Sequence, residues 1–434
     1  MLTILLYCGK VGIYVVWKGG RMEEKRIKVI DSLMGTGKST WAFNHMYENK
    51  ETKYIYITPY LDEIKRLIGE PEKKDKPCTR TKMYFERGFR EPLHLNQGKL
   101  ESLHQLLIEE QNIVTTHALF KMTTIETVDL IKSGEYTLIL DEAMDIVDLF
   151  DISCNDYDML INNEFIEVDK NGMIRWVNDD YEGKFLYLKR QCQNGTVVEL
   201  KRTKKVQLLA WNFSIESFMA LKEVYIMTYL FESSLIKYYF EINNIEYKKY
   251  SIQDYTLVSF DQKQAYDKGK IKELINIYDG KLNIIGERRT ALSLNWFKDY
   301  PDSRKKLKDN IFNYFRNIQK ARSEKIIWTT FKSCRPQIQG NGYRKRFISC
   351  NTRATNEYID CNFLAYCCNR FMSPDYVDYF ELFDVKVDQD LFALSELLQW
   401  LWRSSIRIDK PVSIYIPSKR MRELLIGWLN NPNL

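Results

Sequence analysis

Paired cysteines, histidine and proline are scarce in this sequence, and each shortage removes a class of protein. None of the nine cysteines belongs to a C-x-x-C pair, and all four histidines lie before residue 118. The densest thiol group, Cys350, Cys361, Cys367 and Cys368, has no histidine near it. Zinc sites come as spaced ligand pairs, so free buried thiols in a reducing cytosol are expected there instead. Ten prolines against 28 tyrosines and 22 phenylalanines leave little material for long flexible linkers. No internal repeat is visible, and no helix-turn-helix, zinc-finger or RNP signature supports sequence-specific docking on a nucleic acid.

Long apolar runs are also missing, apart from the opening stretch MLTILLYCGKVGIYVVW. It is short for a membrane span, lacks a basic start and shows no A-x-A cleavage site. An extra N-terminal strand is one reading. The other is that residues 1–21 are a non-native extension and translation starts at Met22, because codons for Lys18-Gly19-Gly20 can spell a ribosome-binding sequence.

What is present describes a globular chain of two or three domains: 434 residues, 45% hydrophobic and 28% charged. A formal charge of +6 permits a polyanionic partner without demonstrating one. Segments with strand and helix patterns alternate: RIKVID, then KSTWAFNHMYE, YIYIT, LDEIKRLIGE, LESLHQLLIEE, NIVTT and YTLILDE. That alternation predicts a doubly wound parallel sheet with its ligand at the carboxyl ends of the strands. From about residue 154 to 205 the texture changes to short strand-like runs separated by Asn-Gly turns, which reads as a β-rich insertion. EVYIMTYLF resumes the buried-strand pattern. The second half repeats the theme through KLNIIG, EKIIWTTF, KRFISC, NFLAYCC and VSIYIP. Domains are expected at residues 22–240 and 241–434, with a cleft between them.

Residues 31–40 read DSLMGTGKST. A phosphate-binding loop runs G-x-x-x-x-G-K-[ST], which puts Ser32 where the first glycine belongs. In such a loop Gly35, Thr36, Gly37 and Thr40 present backbone N–H groups to phosphate oxygens, and the following helix adds its positive end. Lys38 would reach the β and γ phosphates, and the Ser39 hydroxyl would bind Mg²⁺. About a hundred residues on, the apolar strand Leu138-Ile139-Leu140 ends in Asp141-Glu142. Asp141 is expected to hold the Mg²⁺ shell, and Glu142 to activate the water that attacks the γ phosphate.

Ser32-Leu33-Met34-Gly35-Thr36-Gly37-Lys38-Ser39 resembles the first motif of superfamily-two (DEAD/DEAH-box-like) helicases, A-x-x-G-x-G-K-[ST]. Asp141-Glu142-Ala143-Met144 is similar to D-E-A-[DH], with Met in the last place. Thr58-Pro59 in YITPY looks like motif Ia, and Thr115-Thr116-His117 like the later strand-contact motif; Met227-Thr228-Tyr229 lies where motif III falls. Thr352-Arg353-Ala354-Thr355 sits at motif V. Gln399-Trp400-Leu401-Trp402-Arg403-Ser404-Ser405-Ile406-Arg407 resembles motif VI, Q-x-x-G-R-x-x-R, with Trp402 for its glycine and the second arginine one residue late. The likeness spans most of residues 27–420 and is nearest to the compact helicase-like ATPases of bacteriophages.

The resemblance implies an α/β fold of two RecA-like P-loop NTPase domains with a central ATP cleft, the β-rich insertion lying in the first. It implies ATP and Mg²⁺ as cofactors, and a DNA-helicase type of ATP hydrolase acting in phage replication, repair or recombination. Thr58, Pro59, Thr116, His117, Arg353 and Thr355 would contact the nucleic acid. Gln399, Arg403 and Arg407 would serve the γ phosphate, either arginine being the finger. Arg403 and Arg407 are expected on one face of a helix, four residues apart. Trp400 and Trp402 are expected in a core. The partner would be single-stranded or forked DNA, with RNA as the second candidate, together with other replication proteins and no membrane, in the cytoplasm of the infected host. The basic stretches KSCRPQIQGNGYRKR and IPSKRMR add candidate phosphate contacts, with Tyr343 suited to stack on a base. Two alternatives are an ATP-gated DNA clamp with little turnover and a terminase-like packaging motor. The latter needs a nuclease built from acids such as Asp378, Asp384, Asp388 and Asp390.

Overall fold

The computed structural model describes residues 26–69, 87–94, 98–261, 268–350 and 357–431. The extension at 1–21, most of the polar stretch from Pro71 to Gly98, and the motif V candidates Arg353 and Thr355 lie outside these residues. The chain separates into two compact units. The first takes the described residues up to Asp31, then Gly37–Ser259 and Ser373–Val387; the second takes Ser32–Thr36, Phe260–Met372 and Asp388 onward.

In the first unit the chain lays down β1 (Ile27–Asp31), β2 (Tyr54–Thr58), β3 (Ile113–Thr116) and β4 (Thr137–Asp141). It then makes a separate antiparallel sheet from β5 (Val147–Ser153), β6 (Ile166–Val168), β7 (Met173–Trp176), β8 (Gly195–Arg202) and β9 (Val206–Phe213). Afterwards it returns as β10 (Glu223–Thr228), β11 (Tyr247–Gln253) and β12 (Thr256–Ser259). The main sheet runs β12-β11-β1-β10-β4-β2-β3. All its neighbours are parallel except the edge hairpin β11–β12.

β1, β2 and β4 are buried along their whole length, as near-continuous apolar runs require when both faces of a parallel sheet are covered. Trp41, Phe43, Tyr54, Tyr56, Ile139 and Tyr225 pack into one cluster against this sheet. Each such side chain adds roughly 1.5–3 kcal/mol by leaving water.

Two expected boundaries move. The division near residue 240 falls after Ser259, because Tyr247–Gln253 pairs with β1 and Thr256–Ser259 completes the hairpin. The insertion expected at 154–205 is bounded by β5 and β9, which pair along their full length from Val147↔Asn212 to Ser153↔Val206. Helices at Cys154–Asn162 and Leu186–Asn194 interrupt its strands. The segment around helix Pro374–Glu381 also belongs to this unit: Tyr379 donates to Asn212 Oδ1 at 2.5 Å, Tyr376 donates to the Val147 carbonyl at 3.3 Å, and Phe380 packs on Tyr238.

The second unit holds a four-stranded parallel sheet of β13 (Ile275–Ile277), β14 (Ile326–Thr329), β15 (Phe363–Tyr366) and β16 (Val412–Tyr415), in the order β13-β16-β15-β14. Two expected strands are absent from it. KLNIIG is a 3₁₀ turn over Lys281–Gly286, held by the Asn283 amide on the Tyr278 carbonyl, and KRFISC contributes one bridge, Trp328↔Phe347. Short apolar runs do not distinguish strand from turn by period, and here neighbouring carbonyls decide. Trp328, Trp400 and Trp428 are fully buried and Trp402 nearly so. No helix among the described residues is long and apolar enough to cross a membrane.

Candidate nucleotide site

Strand register assembles the site. Asp31 stands opposite Thr228, Met227 opposite Asp141, and Thr58 opposite Thr116, so all these residues share the carboxyl end of the main sheet. β1 leads into the loop, whose Gly35 and Gly37 take left-handed φ of 88° and 92°. Helix α1 (Lys38–Glu48) follows, with Gly37 at its N-cap and Trp41, Ala42, Phe43 and Met46 buried. Ser32 is buried, and the Thr36 hydroxyl donates to the Leu33 carbonyl at 2.9 Å to close the turn.

Asp141 is buried, and its Oδ2 accepts from the Tyr56 hydroxyl at 3.1 Å. Burial, then the negative charges of Glu63 and Glu142, push its pKa up to about 7, against the opposing pull of Tyr56 and Lys38. The Tyr56 phenol is driven far above its ordinary value by burial and by Asp141, so it stays a donor. The charges of Lys38 and Glu142 therefore both act on Asp141. Glu142 leaves the strand with φ 71°, its N–H bonding to the Met227 carbonyl at 3.0 Å.

Asp141 and the Ser39 hydroxyl are hard oxygen donors of the kind Mg²⁺ takes. A carboxylate held up by burial and like charge is one that a cation would return to its ionised form. Among the described residues no group of three or more His, Cys, Asp or Glu side chains forms a cation cage.

Thr58 and Thr116 reach the same sheet end, but both hydroxyls have local work. Thr58 Oγ1 accepts from the Tyr60 N–H at 3.3 Å, and Thr116 caps the turn His117–Phe120. Pro59 is half-buried beside Thr58. His117 Nε2 lies 3.3 Å from the Asp141 carbonyl oxygen, which joins that turn to the acid strand.

The motif VI residues depart from expectation. Their helix spans Gln389–Leu401 and is capped at Trp402, so Arg403 and Arg407 do not share a helix face. The Ser404 hydroxyl bonds back to the Leu401 carbonyl, the Ser405 N–H bonds to Cys361, and a 3₁₀ turn Ser405–Ile408 follows. Arg403 is buried and Arg407 exposed. Gln399 lies half-buried on the helix. Within the second unit, to which residues 32–36 belong, Gly35 lies against Arg407: a Cβ there would be 3.9 Å from its Cγ.

The basic stretches are corrected too. Tyr343 is buried and donates to the Ile338 carbonyl at 2.6 Å, so it offers no face to a base. Arg335 stacks on Phe347, and Arg346 donates to the Ile326 and Glu324 carbonyls; Lys332, Arg344 and Lys345 are exposed. In IPSKRMR, Arg420 is buried and Arg422 bonds the Ile416 and Pro417 carbonyls. Of the acids a nuclease would need, Asp378 pairs with Lys201, Asp390 with Arg420, and Asp388 caps a helix.

Asp31, Lys249, Tyr56 and Glu63 escaped sequence reasoning. Asp31 Oδ1 and Oδ2 accept from the Leu230 and Phe231 N–H groups at 2.8 and 3.1 Å, and Lys249 pairs with it at 3.2 Å. The one available signal was an acid closing an apolar strand directly before the loop. Replacing Asp31 by alanine orphans two buried N–H groups, at about 1–3 kcal/mol each. Urea unfolding should show a loss of that order.

The family described as the YonV C-terminal Rossmann-like domain matches residues 269–429, and the YonV middle domain matches 147–211. The latter coincides with the β5–β9 sheet and not with the narrower insertion expected. Over 426 residues the chain is 42% identical to the SPbeta prophage-derived uncharacterized protein YonV of Bacillus subtilis (strain 168), covering 94% of this chain and 99% of that protein. Among solved structures, S. tokodaii Xpd4 is similar at a TM-score of 0.46 and 10% identity, with 93% of this chain and 94% of that one covered. That likeness is one of outline and assigns no activity.

Proposed function

We propose that this chain, which belongs to the YonV family, is a nucleic-acid-stimulated ATP hydrolase of helicase type built from two RecA-like domains. The observation that carries the proposal is the register placing the loop strand and the acid strand on either side of β10, with Lys38, Asp141 and Glu142 in one electrostatic set. Backbone N–H groups from Gly35 to Thr40 would hold the phosphates, and Lys38 would neutralise the outer ones. Ser39 and Asp141 would hold Mg²⁺, which supplies further charge neutralisation when bound. Glu142 would orient and deprotonate the attacking water, its left-handed backbone turning it away from the strand. Arg403 and Arg407 are the candidates for the phosphate-sensing arginine; Arg407 is exposed and Arg403 buried. Pro59, Thr116 and His117 would face the strand of nucleic acid, most simply single-stranded DNA, while Thr58 is fully buried and would only shape the loop through the Tyr60 N–H.

The burial of Arg403 is the observation that favours the second proposal, an ATP-gated clamp with slow turnover. Steady-state hydrolysis without nucleic acid, with single-stranded DNA, with duplex DNA and with single-stranded RNA separates the two. Stimulation by one strand type, lost in Lys38→Ala, is the expected result. Tight ATP binding with flat, negligible turnover under all four conditions would give the clamp instead.

A further inference from the structure

The hairpin at the edge of the main sheet turns through two residues, Asp254 and Tyr255, with left-handed φ of 47° and 62°. Two-residue hairpins of this backbone type favour Asn-Gly or Asp-Gly, because a residue without Cβ escapes the clash with the neighbouring carbonyl. Tyrosine in the second place retains that clash. Strain of this kind concentrates where side-chain position matters more than stability.

Topology puts the strained turn beside the phosphate loop. β11 runs parallel to β1, so both strands end on the same side, one in the hairpin tip and the other in the loop. The Tyr255 ring lies directly on Gly37: a Cβ at that glycine would stand 2.7 Å from both Cδ1 and Cε1 of the ring. Gly37 is the N-cap of α1 and lies among the residues whose backbone N–H groups are proposed to hold phosphate. Packing on Gly37 does not bury the ring, and Tyr255 remains 53% exposed. A purely structural tyrosine has no reason to combine a disfavoured backbone, one covered edge and an open face.

We propose that Tyr255 stacks on the nucleobase of a nucleotide whose phosphates occupy Gly37–Thr40, which rests on the nucleotide-site reading above. Stacking recognises a flat ring and not a pattern of donors and acceptors, so the site takes purine nucleoside triphosphates without strong preference between adenine and guanine. Gly37 has a second role in this arrangement, since any side chain there would displace the ring.

Inorganic tripolyphosphate separates contact with the base from support of the loop. Dissociation constants for ATP, GTP and tripolyphosphate would be measured by calorimetry on the full chain and on Tyr255→Phe, Tyr255→Leu and Tyr255→Gly. Leu and Gly are expected to weaken ATP and GTP alike by about tenfold or more, to leave tripolyphosphate unchanged, and Phe to behave as wild type. Tyr255→Gly is also expected to raise the melting temperature, because glycine accepts the left-handed position. Equal losses for tripolyphosphate would show that the ring only shapes the loop, and unchanged nucleotide affinity would show that it touches nothing; either overturns the proposal. A wild-type protein that binds neither ATP nor tripolyphosphate would instead remove the nucleotide site itself, and this stacking role with it.

Discussion

Lys38→Ala is expected to lower ATP turnover by about two to three orders of magnitude, read by phosphate release. The expectation follows from position: Lys38 opens α1, and its charge already acts on buried Asp141. Removing one preorganised charge aimed at a developing phosphate anion costs on the order of 10²–10³ in rate. Glu142→Gln is expected to slow turnover by roughly 10²–10⁴ with ATP still bound, as loss of a general base would. Wild-type rates in both variants would take the loop and acids out of the chemistry.

Part of this site is legible in the sequence, and the reason is local. IKVID and TLILD are apolar runs that end in acids, and GTGKST follows the first directly, so strand, loop and helix could be placed from neighbouring residues alone. Pairing register is non-local and could not be read. Nothing in the sequence says that Met227 will stand opposite Asp141, or that Tyr56 will reach its carboxylate. The insertion edges were missed for a related reason. VDLFDIS reads as the tail of the acid strand until it pairs with VQLLAWNF more than fifty residues later. Arg403 and Arg407 were misplaced by assuming that a helical pattern continues through Trp402-Arg403-Ser404. The Ser404 hydroxyl instead satisfies the Leu401 carbonyl and ends the helix. Tyr255 gave no sequence signal, because its meaning lies in a left-handed φ and in the glycine it covers.

Arg420 shows how far a basic stretch can mislead, and its replacement is expected to have the largest effect on folding. In sequence it sits in IPSKRMR, as plausible a phosphate contact as any. In the second unit it is 6% exposed, with its guanidinium 4.2 Å from the centre of the Phe371 ring. Nε donates to Asp390 at 2.8 Å, Nη1 to Asn369 Oδ1 at 2.9 Å and the Arg370 carbonyl at 2.7 Å, and Nη2 to the Gln389 carbonyl at 2.8 Å. Arg420 thus joins the turn after β15, the start of the helix that leads to Arg403, and the C-terminal helix Lys419–Asn430. Arg420→Ala is expected to cost about 3–5 kcal/mol, the range for breaking one side of a buried charged network. Most of that loss comes from the acceptors near Asn369, Arg370 and Gln389, because the Asp390 side chain is 53% exposed and water can take over its charge. Arg420→Lys keeps the charge but has three donors in place of five and no planar face for Phe371, so it should recover only part of the loss. Urea unfolding of both variants, read beside the salt dependence of nucleic-acid binding, distinguishes the two roles. A phosphate contact would lower the salt slope by about one at unchanged stability. A strut would lower stability and leave the slope of the folded fraction alone, the outcome that its four hydrogen bonds and buried guanidinium require.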